Sequence, residues 1–392
     1  MCSIYSTRVV PVRPRAGWPH SPLKPFDMLF FQNYTTYLAL VFLASSLAGC
    51  KCSAVSLGCA DYEMDTPYTA TPIFTGPGTE DMALDTSQGY PRLIVSCDER
   101  RGKRPPSGSF YAINLQTRDT LRLAFDQDPS TLFPNDEKLS DWHPHGIALA
   151  RLGGTDYLYS VTHRGKKRGQ GYRSDEILRF RIGADTLFYD TLYRDKALKT
   201  PNDIFVLSDG SFYVSNILKK SSMWQFIRGA FGAKTGNIVY YHPENGWKAP
   251  LSKQAYPNGI FVDEAAQHLY MMHGACQEAN RYTLSAPGQI APGSKTTAPQ
   301  KIAMGDNLTR DSQGYLWATS HPCLFKFLKH SKGKGPAPSL AYRIDPQTME
   351  AELVYQNNGE EISAASTALW HDGKLYLSQV FDNFVLEIDW TP

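Results

Sequence analysis

One pattern recurs six times between Glu80 and Phe381. A polar residue leads a short apolar run, a turn rich in Gly, Asp or Gln follows, and a second, aromatic-rich run closes the unit. The clearest copy is TPNDIFVLSDGSFYVSN, from Thr200. Others begin at Pro144 (PHGIALARLGGTDYLYSVTH), Pro257 (PNGIFVDEAAQHLYMMHG), Asp306 (DNLTRDSQGYLWATSHP) and Ser366 (STALWHDGKLYLSQVF). A weaker copy starts at Glu80 (EDMALDTSQGYPRLIVSCDE). Two apolar runs around a tight turn read as paired strands. Repeats of this size, each a few strands, mark a β-propeller, and six of them predict six blades. Pieces between the units, such as EILRFRI at Glu176 and NIVYYHP at Asn237, supply the outer strands. The aromatic content of 12%, with 30 Gly and 26 Pro, fits short strands joined by turns.

The leading positions are unusual. Asn202 and Asp203 are poor strand formers, yet they stand directly before the apolar run Ile204 to Leu207. In a propeller the innermost strand of each blade runs along the central channel in the same direction. The leading residues Glu80, His145, Asn202, Asn258, Asn307 (beside Asp306) and Thr367 therefore meet at one end of that channel. A broken local rule points to a functional site. Carboxylate and amide oxygens are hard ligands of the kind calcium takes six to eight at a time. The shortage of Cys and His in the set argues against a softer metal. A polar plug of amides and waters is the alternative reading.

Together, in order, GTEDM, HPHGI, TPNDI, YPNGI and GDNLTRDSQGYLWATSHP resemble the paraoxonase/arylesterase family of calcium-dependent lactonases, over roughly Thr79 to Trp390. The resemblance implies an all-β, six-bladed propeller with two Ca2+ ions in its channel and a short amphipathic lid helix. It implies a catalytic calcium on Glu80, Asn202, Asn258, Asp306 and Asn307. A deeper structural calcium would take Asp81, Asp203 and the backbone carbonyl of Ile147. The chemistry implied is hydrolysis of lactones and aryl esters, with organophosphate triesters as weaker substrates. Calcium polarises the carbonyl and Asn202 adds an amide hydrogen bond. Water attacks, with His145 as base and His163 as its partner, or with Glu80 as a competing base. His321 matches a pocket histidine, and Tyr256, Trp224 and Phe381 read as apolar pocket walls. A non-catalytic propeller with structural calcium, or a gluconolactonase-like sugar-lactone hydrolase, is the alternative.

The chain departs from the family in places. His143 replaces an Asn before the proline that precedes His145. The loop Arg100 to Pro106, RRGKRPP, lacks the family's tyrosine, and Asn216-Ile217-Leu218 replaces Asn-Asp-His. No Cys follows Cys323, so closure of the ring must rely on strand pairing or other contacts. The pairing of the seven cysteines stays open. The run HRGKKRGQGYR at His163 reads as a solvated hairpin loop, since no helix pattern follows its glycines.

Residues 1–49 read as a leader. Tyr37 to Gly49 is too short for a comfortable membrane span but suits a signal h-region, and LAGC, ending at Cys50, resembles a bacterial lipobox. That implies lipidation of Cys50 and an exported, membrane-anchored lipoprotein, with residues 50–70 as tether and 71–392 as the propeller. An uncleaved anchor helix is the alternative, and translation from Met28 would leave the n-region without positive charge. SSMWQFIRGAFG, residues 221–232, has Trp224, Ile227 and Phe231 at helical spacing with basic flanks. It is the expected lid helix, either packed on the propeller or lying at a membrane. The 40 basic and 38 acidic residues give no reason to expect a nucleic-acid partner. The chain has no CxxC, HExxH, P-loop or GxSxG.

Overall fold

Every leading polar residue of the repeats opens the first strand of a separate sheet. The computed structural model describes residues 60–63, 68–101, 105, 107–167, 171–219, 225, 228–229 and 232–390. Six sheets follow one another as blades, antiparallel throughout except for the short edge strand Ala124–Phe125 of the second, which pairs parallel with Thr186–Tyr193. Their inner strands are Thr79–Asp85, Trp142–Leu152, Pro201–Val206, Pro257–Asp263, Gly305–Arg310 and Ala365–His371. In each blade the next two strands add in sequence order. Thus EILRFRI lies in Gly171–Ile182 and NIVYY in Gly236–His242, each the third strand of its blade.

The ring closes by strand exchange between the chain's two ends. Ala70–Phe74 pairs antiparallel with Phe384–Asp389 and completes the sixth blade as its outermost strand. Backbone pairing thus joins the first and last described strands. Cys276 and Cys323 are each disulfide-bonded, while Cys97 is a buried free thiol.

The apolar core lies between the blades. One cluster joins Ile94 and Phe110 of the first blade to Leu158 and Phe180 of the second. Another joins Val161 and Ile177 to Ile204 and Val214, and so on around the ring to Met82 and Leu93 against Leu369 and Val385. Six such clusters follow from alternating strands whose two faces each meet a neighbouring sheet.

The second blade has the longest strands, Thr155–Lys167 and Gly171–Ile182. Here the structure differs from the expected solvated loop. Strand pairing continues to Lys167 opposite Gly171. Arg164 is wholly buried and bonds Glu176 and the carbonyls of Pro129 and Leu139. Desolvating that guanidinium requires such partners, and strand pairing continues through much of the segment expected as a loop. The helix expected over 221–232, with Trp224, lies outside the described residues apart from fragments, as does Cys50. A helix that the sequence did not announce spans Leu324–His330, just after the fifth blade's second strand.

Candidate functional site

The first strand of every blade carries a bulge at the leading position. In the third blade Pro201 pairs with Asn216 and Ile204 with Val214, so the inner strand holds one residue more than its partner. The same one-residue excess occurs between Thr79 and Asp81, Pro144 and Ile147, Pro257 and Ile260, Gly305 and Leu308, and Ala365 and Ala368. A bulge breaks pairing and re-aims side chains. That is why poor strand formers are accommodated there. The freed N–H groups find partners in buried serines of the second strands: Asp81 N donates to Ser96 Oγ, Asp203 N to Ser215 Oγ and Thr367 N to Ser378 Oγ.

The re-aimed side chains surround one cavity of about 240 Å³. Glu80, His145, Asn202, Asn258, Asp306 and His321 form its polar part. Asn307 is buried beside them and donates to Glu80 Oε1 at 3.3 Å and to Thr367 Oγ1 at 3.0 Å. Asn258 Nδ2 donates to Asp306 Oδ1 at 2.6 Å, and His321 Nε2 lies 2.8 Å from Asp306 Oδ2.

Four buried oxygens in this cluster meet no donor among the described residues: Glu80 Oε2, Asn202 Oδ1, Asn258 Oδ1 and Asn307 Oδ1. They come from four different blades. A buried oxygen without a donor costs about 1–3 kcal/mol, and a bound cation is one partner that could satisfy all four at once. No group of three or more His, Cys, Asp or Glu at metal-binding spacing occurs among the described residues. The donors are mostly amides, a set suited to a hard ion such as Ca2+.

Asp81 and Asp203 are buried and do not line the cavity. Asp81 Oδ2 accepts from Ile147 N at 2.7 Å, and Asp203 Oδ2 from Ile260 N at 2.7 Å, each across a blade boundary. Asp81 thus meets Ile147 at its N–H. Burial, then the charge of Glu80, pushes the Asp81 carboxyl up to about 8. Burial, then Asp81, raises Asp203 well above the usual carboxylate range. Burial raises Asp306 too, against the pull of His321. For Glu80 burial is outweighed by His145, Arg100 and the Asn307 amide, which hold its carboxyl below the usual range.

The histidines form a chain. His145 Nε2 lies 3.4 Å from Glu80 Oε1. His145 Nδ1 lies 2.9 Å from His163 Nε2, and His163 Nδ1 lies 2.7 Å from Asp175 Oδ1. Burial lowers the His163 pKa against the pull of Asp175. Asp175 escapes sequence reasoning because its approach depends on register: the long hairpin sets it opposite His163. Below, His143 Nδ1 pairs with Asp98 at 2.9 Å, both buried, tying the second blade to the first.

The rest of the wall is apolar. Tyr256 and Phe381 lie in it, joined by Ile217, Met304 and Val380, and by Leu324 and Phe327 of the unforeseen helix. Phe327 packs 5.4 Å from Phe381 and 4.8 Å from His321, centroid to centroid. Arg100 also lines the cavity, with Nη1 donating to the carbonyls of Gly78, Asp98 and Val380.

Comparison with known proteins agrees with this geometry. Serum paraoxonase/arylesterase 2 of Rattus norvegicus is 23% identical over 253 residues, covering 62% of this chain and 68% of that protein. Its Homo sapiens namesake is 24% identical over 248 residues, with the same shares. Among solved structures, a luciferin-regenerating enzyme superposes with a TM-score of 0.51 at 11% identity, covering 82% of this chain and 95% of its own. A gluconolactonase from Xanthomonas campestris gives 0.51 at 13%, covering 86% and 97%. At such identities these two establish the fold alone. The family model described as Arylesterase matches residues 108–386, from the third strand of the first blade into the last strand of the sixth. The chain belongs to the arylesterase family.

Proposed function

We propose that this protein hydrolyses lactones and aryl esters in a calcium-dependent reaction. The observation that carries the proposal is the set of four donorless oxygens, from four blades, beside a histidine on the same cavity. Glu80, Asn202, Asn258, Asp306 and Asn307 would hold the ion nearer the cavity. Asp81, Asp203 and Ile147 would serve a deeper one. Bound calcium supplies a Lewis acid that polarises a carbonyl oxygen.

The chain's own groups do the rest. The Asn202 amide donates to the oxygen where charge develops. His145 Nε2 takes a proton from the attacking water, with Glu80 as the competing acceptor. Tyr256, Phe327 and Phe381 exclude bulk water and hold the apolar part of the substrate. That wall offers few partners to the hydroxyls of a sugar lactone, which disfavours a polyhydroxylated ring. We further propose an exported protein anchored through a lipidated Cys50. Mass analysis of the mature N-terminus tests this, and an unprocessed leader or an unmodified Cys50 refutes it.

Proton release from γ- and δ-lactones should be followed before chelation, after chelation and with calcium restored. Calcium-reversible turnover supports the proposal. A folded, calcium-loaded protein that turns over neither substrate defeats it, and the cavity is then a ligand-binding site. His145→Gln should abolish turnover while leaving the fold intact.

A further inference from the structure

We infer that Asp175 is a positioning residue that sets the tautomer of His163 and, through it, holds His145 by its Nδ1–H so that Nε2 faces the cavity. The inference rests on the hydrolase reading for its kinetic part only.

The argument follows from what each atom can do. A carboxylate accepts and does not donate. At 2.7 Å from Asp175 Oδ1, His163 Nδ1 must carry a hydrogen. Burial favours the neutral ring, and a neutral imidazole has one N–H, so His163 Nε2 is an acceptor. At 2.9 Å, His145 Nδ1 must then be the donor. His145 Nε2, on the opposite side of the ring, is left facing the cavity and lies 3.4 Å from Glu80 Oε1. Each step removes a choice, and Asp175 makes the first.

The fold is built to deliver this contact. Asp175 and His163 are cross-strand partners, in register from Tyr157–Arg181 to Lys167–Gly171. Arg164, next to His163, is locked by Glu176, next to Asp175. The second blade thus clamps the pair diagonally from the two flanking register positions, on strands longer than any other blade supplies.

When water attacks, its oxygen bonds the carbonyl carbon and the carbonyl π pair moves to oxygen. The proton passes to His145 Nε2. The imidazolium so formed keeps its Nδ1–H on His163, and its charge is stabilised through that ring by Asp175. No proton need reach Asp175. Collapse of the tetrahedral species returns the proton to the leaving alkoxide.

The test uses the full chain, calcium-loaded and labelled with 15N-histidine. Long-range 1H–15N spectra of the wild type should show His163 protonated at Nδ1 and His145 at Nδ1. Protonation of His163 at Nε2 overturns the inference without any variant. In Asp175→Asn the side-chain amide can donate to Nδ1, so the His163 tautomer should reverse. With lactone substrate, kcat should fall roughly 100-fold while KM changes little. Asp175→Glu, which restores an acceptor, should recover part of the loss. Wild-type kcat in Asp175→Asn, or an unchanged tautomer there, also overturns it. A wild type without turnover defeats the hydrolase reading instead, and the spectra still decide whether Asp175 sets His163.

Discussion

The carboxylate of Asp81 accepts the backbone N–H of Ile147 at 2.7 Å, across the boundary between the first and second blades. Asp203 makes the same contact with Ile260 between the third and fourth. These acids staple the inner strands together, and they do so in a place that disfavours their charge. Burial and the Glu80 charge push the Asp81 carboxyl up to about 8, and Asp203 is raised as well. An acid whose folded pKa exceeds its unfolded value binds its proton more tightly when folded. Its contribution to stability is present at low pH and is lost as pH rises toward the folded pKa. His163 and His273, pushed down by burial, are largely neutral in both states above about pH 7 and do not obscure this. Glu80, held low, acts only below its ordinary range. Chelated protein should therefore have a lower denaturation midpoint at about pH 9 than at about pH 7, and calcium should shrink the difference, leaving the part due to the buried Cys97 thiol, which burial pushes up to about 12. Equal midpoints in chelator would show that these acids are not strained by their charge.

Backbone approaches are as tight as the side-chain contacts. A methyl group at Gly146 would lie 2.3 Å from the Asn202 carbonyl oxygen, and one at Gly259 would lie 2.4 Å from that of Asp306. Both obstacles are backbone, so neither can rotate away. Gly146→Ala and Gly259→Ala should each cost about 1–3 kcal/mol. They should also shift the neighbouring bulge and lower lactone turnover more than a comparable surface substitution does. Urea midpoints and initial rates on both variants test this. Unchanged rates would mean that bulge position does not govern the cavity.

The blades, their order and the convergence of the leading residues were legible because each unit repeats a strand-turn-strand pattern. The bulge itself was not. It appears in sequence only as Asn, Asp or Gly where a strand should begin, and the reason lies in pairing with the second strand. Asp175 was hidden for the same reason, since cross-strand register is not written in spacing alone. The helix Leu324–His330 follows HPC and has only seven residues, too few for a periodic signal. Its packing of Phe327 against Phe381 is a tertiary fact. The ring closure by Ala70–Phe74 was open as to means, because a lone short strand far from its partner leaves no mark of where it pairs.

If the donorless oxygens form a cation cradle, removing one should weaken binding and turnover together. Asn258 is the best choice, because its Oδ1 lacks a donor while its Nδ2 holds Asp306. Asn258→Ala should lower calcium affinity and kcat/KM, each by at least about tenfold, corresponding to 1.4 kcal/mol or more. Calorimetric titration and lactone kinetics on the same preparation provide the check. Unchanged affinity and unchanged turnover would remove Asn258 from the site.

The apolar wall should set substrate size. Phe327 stands on a short helix whose last residue, His330, lies 3.4 Å from Asp382, while Arg101 bonds Asp382 and the His330 carbonyl and covers the Phe381 ring at 5.0 Å. That cluster fixes the helix against the 380–382 loop and narrows the cavity to about 240 Å³, near the low end for small-molecule sites. Phe327→Ala removes one wall and leaves the polar floor in place. It should raise KM for short lactones by roughly tenfold, through lost contact. For substrates with long acyl chains the larger cavity should offset that loss, so kcat/KM should shift in their favour. Arg101→Ala should act more weakly in the same direction, because it loosens the helix without deleting the ring. Measuring kcat/KM across a series of lactones of increasing chain length separates the effects. A uniform fall at all lengths would mean that Phe327 supports the site's geometry and does not select among substrates.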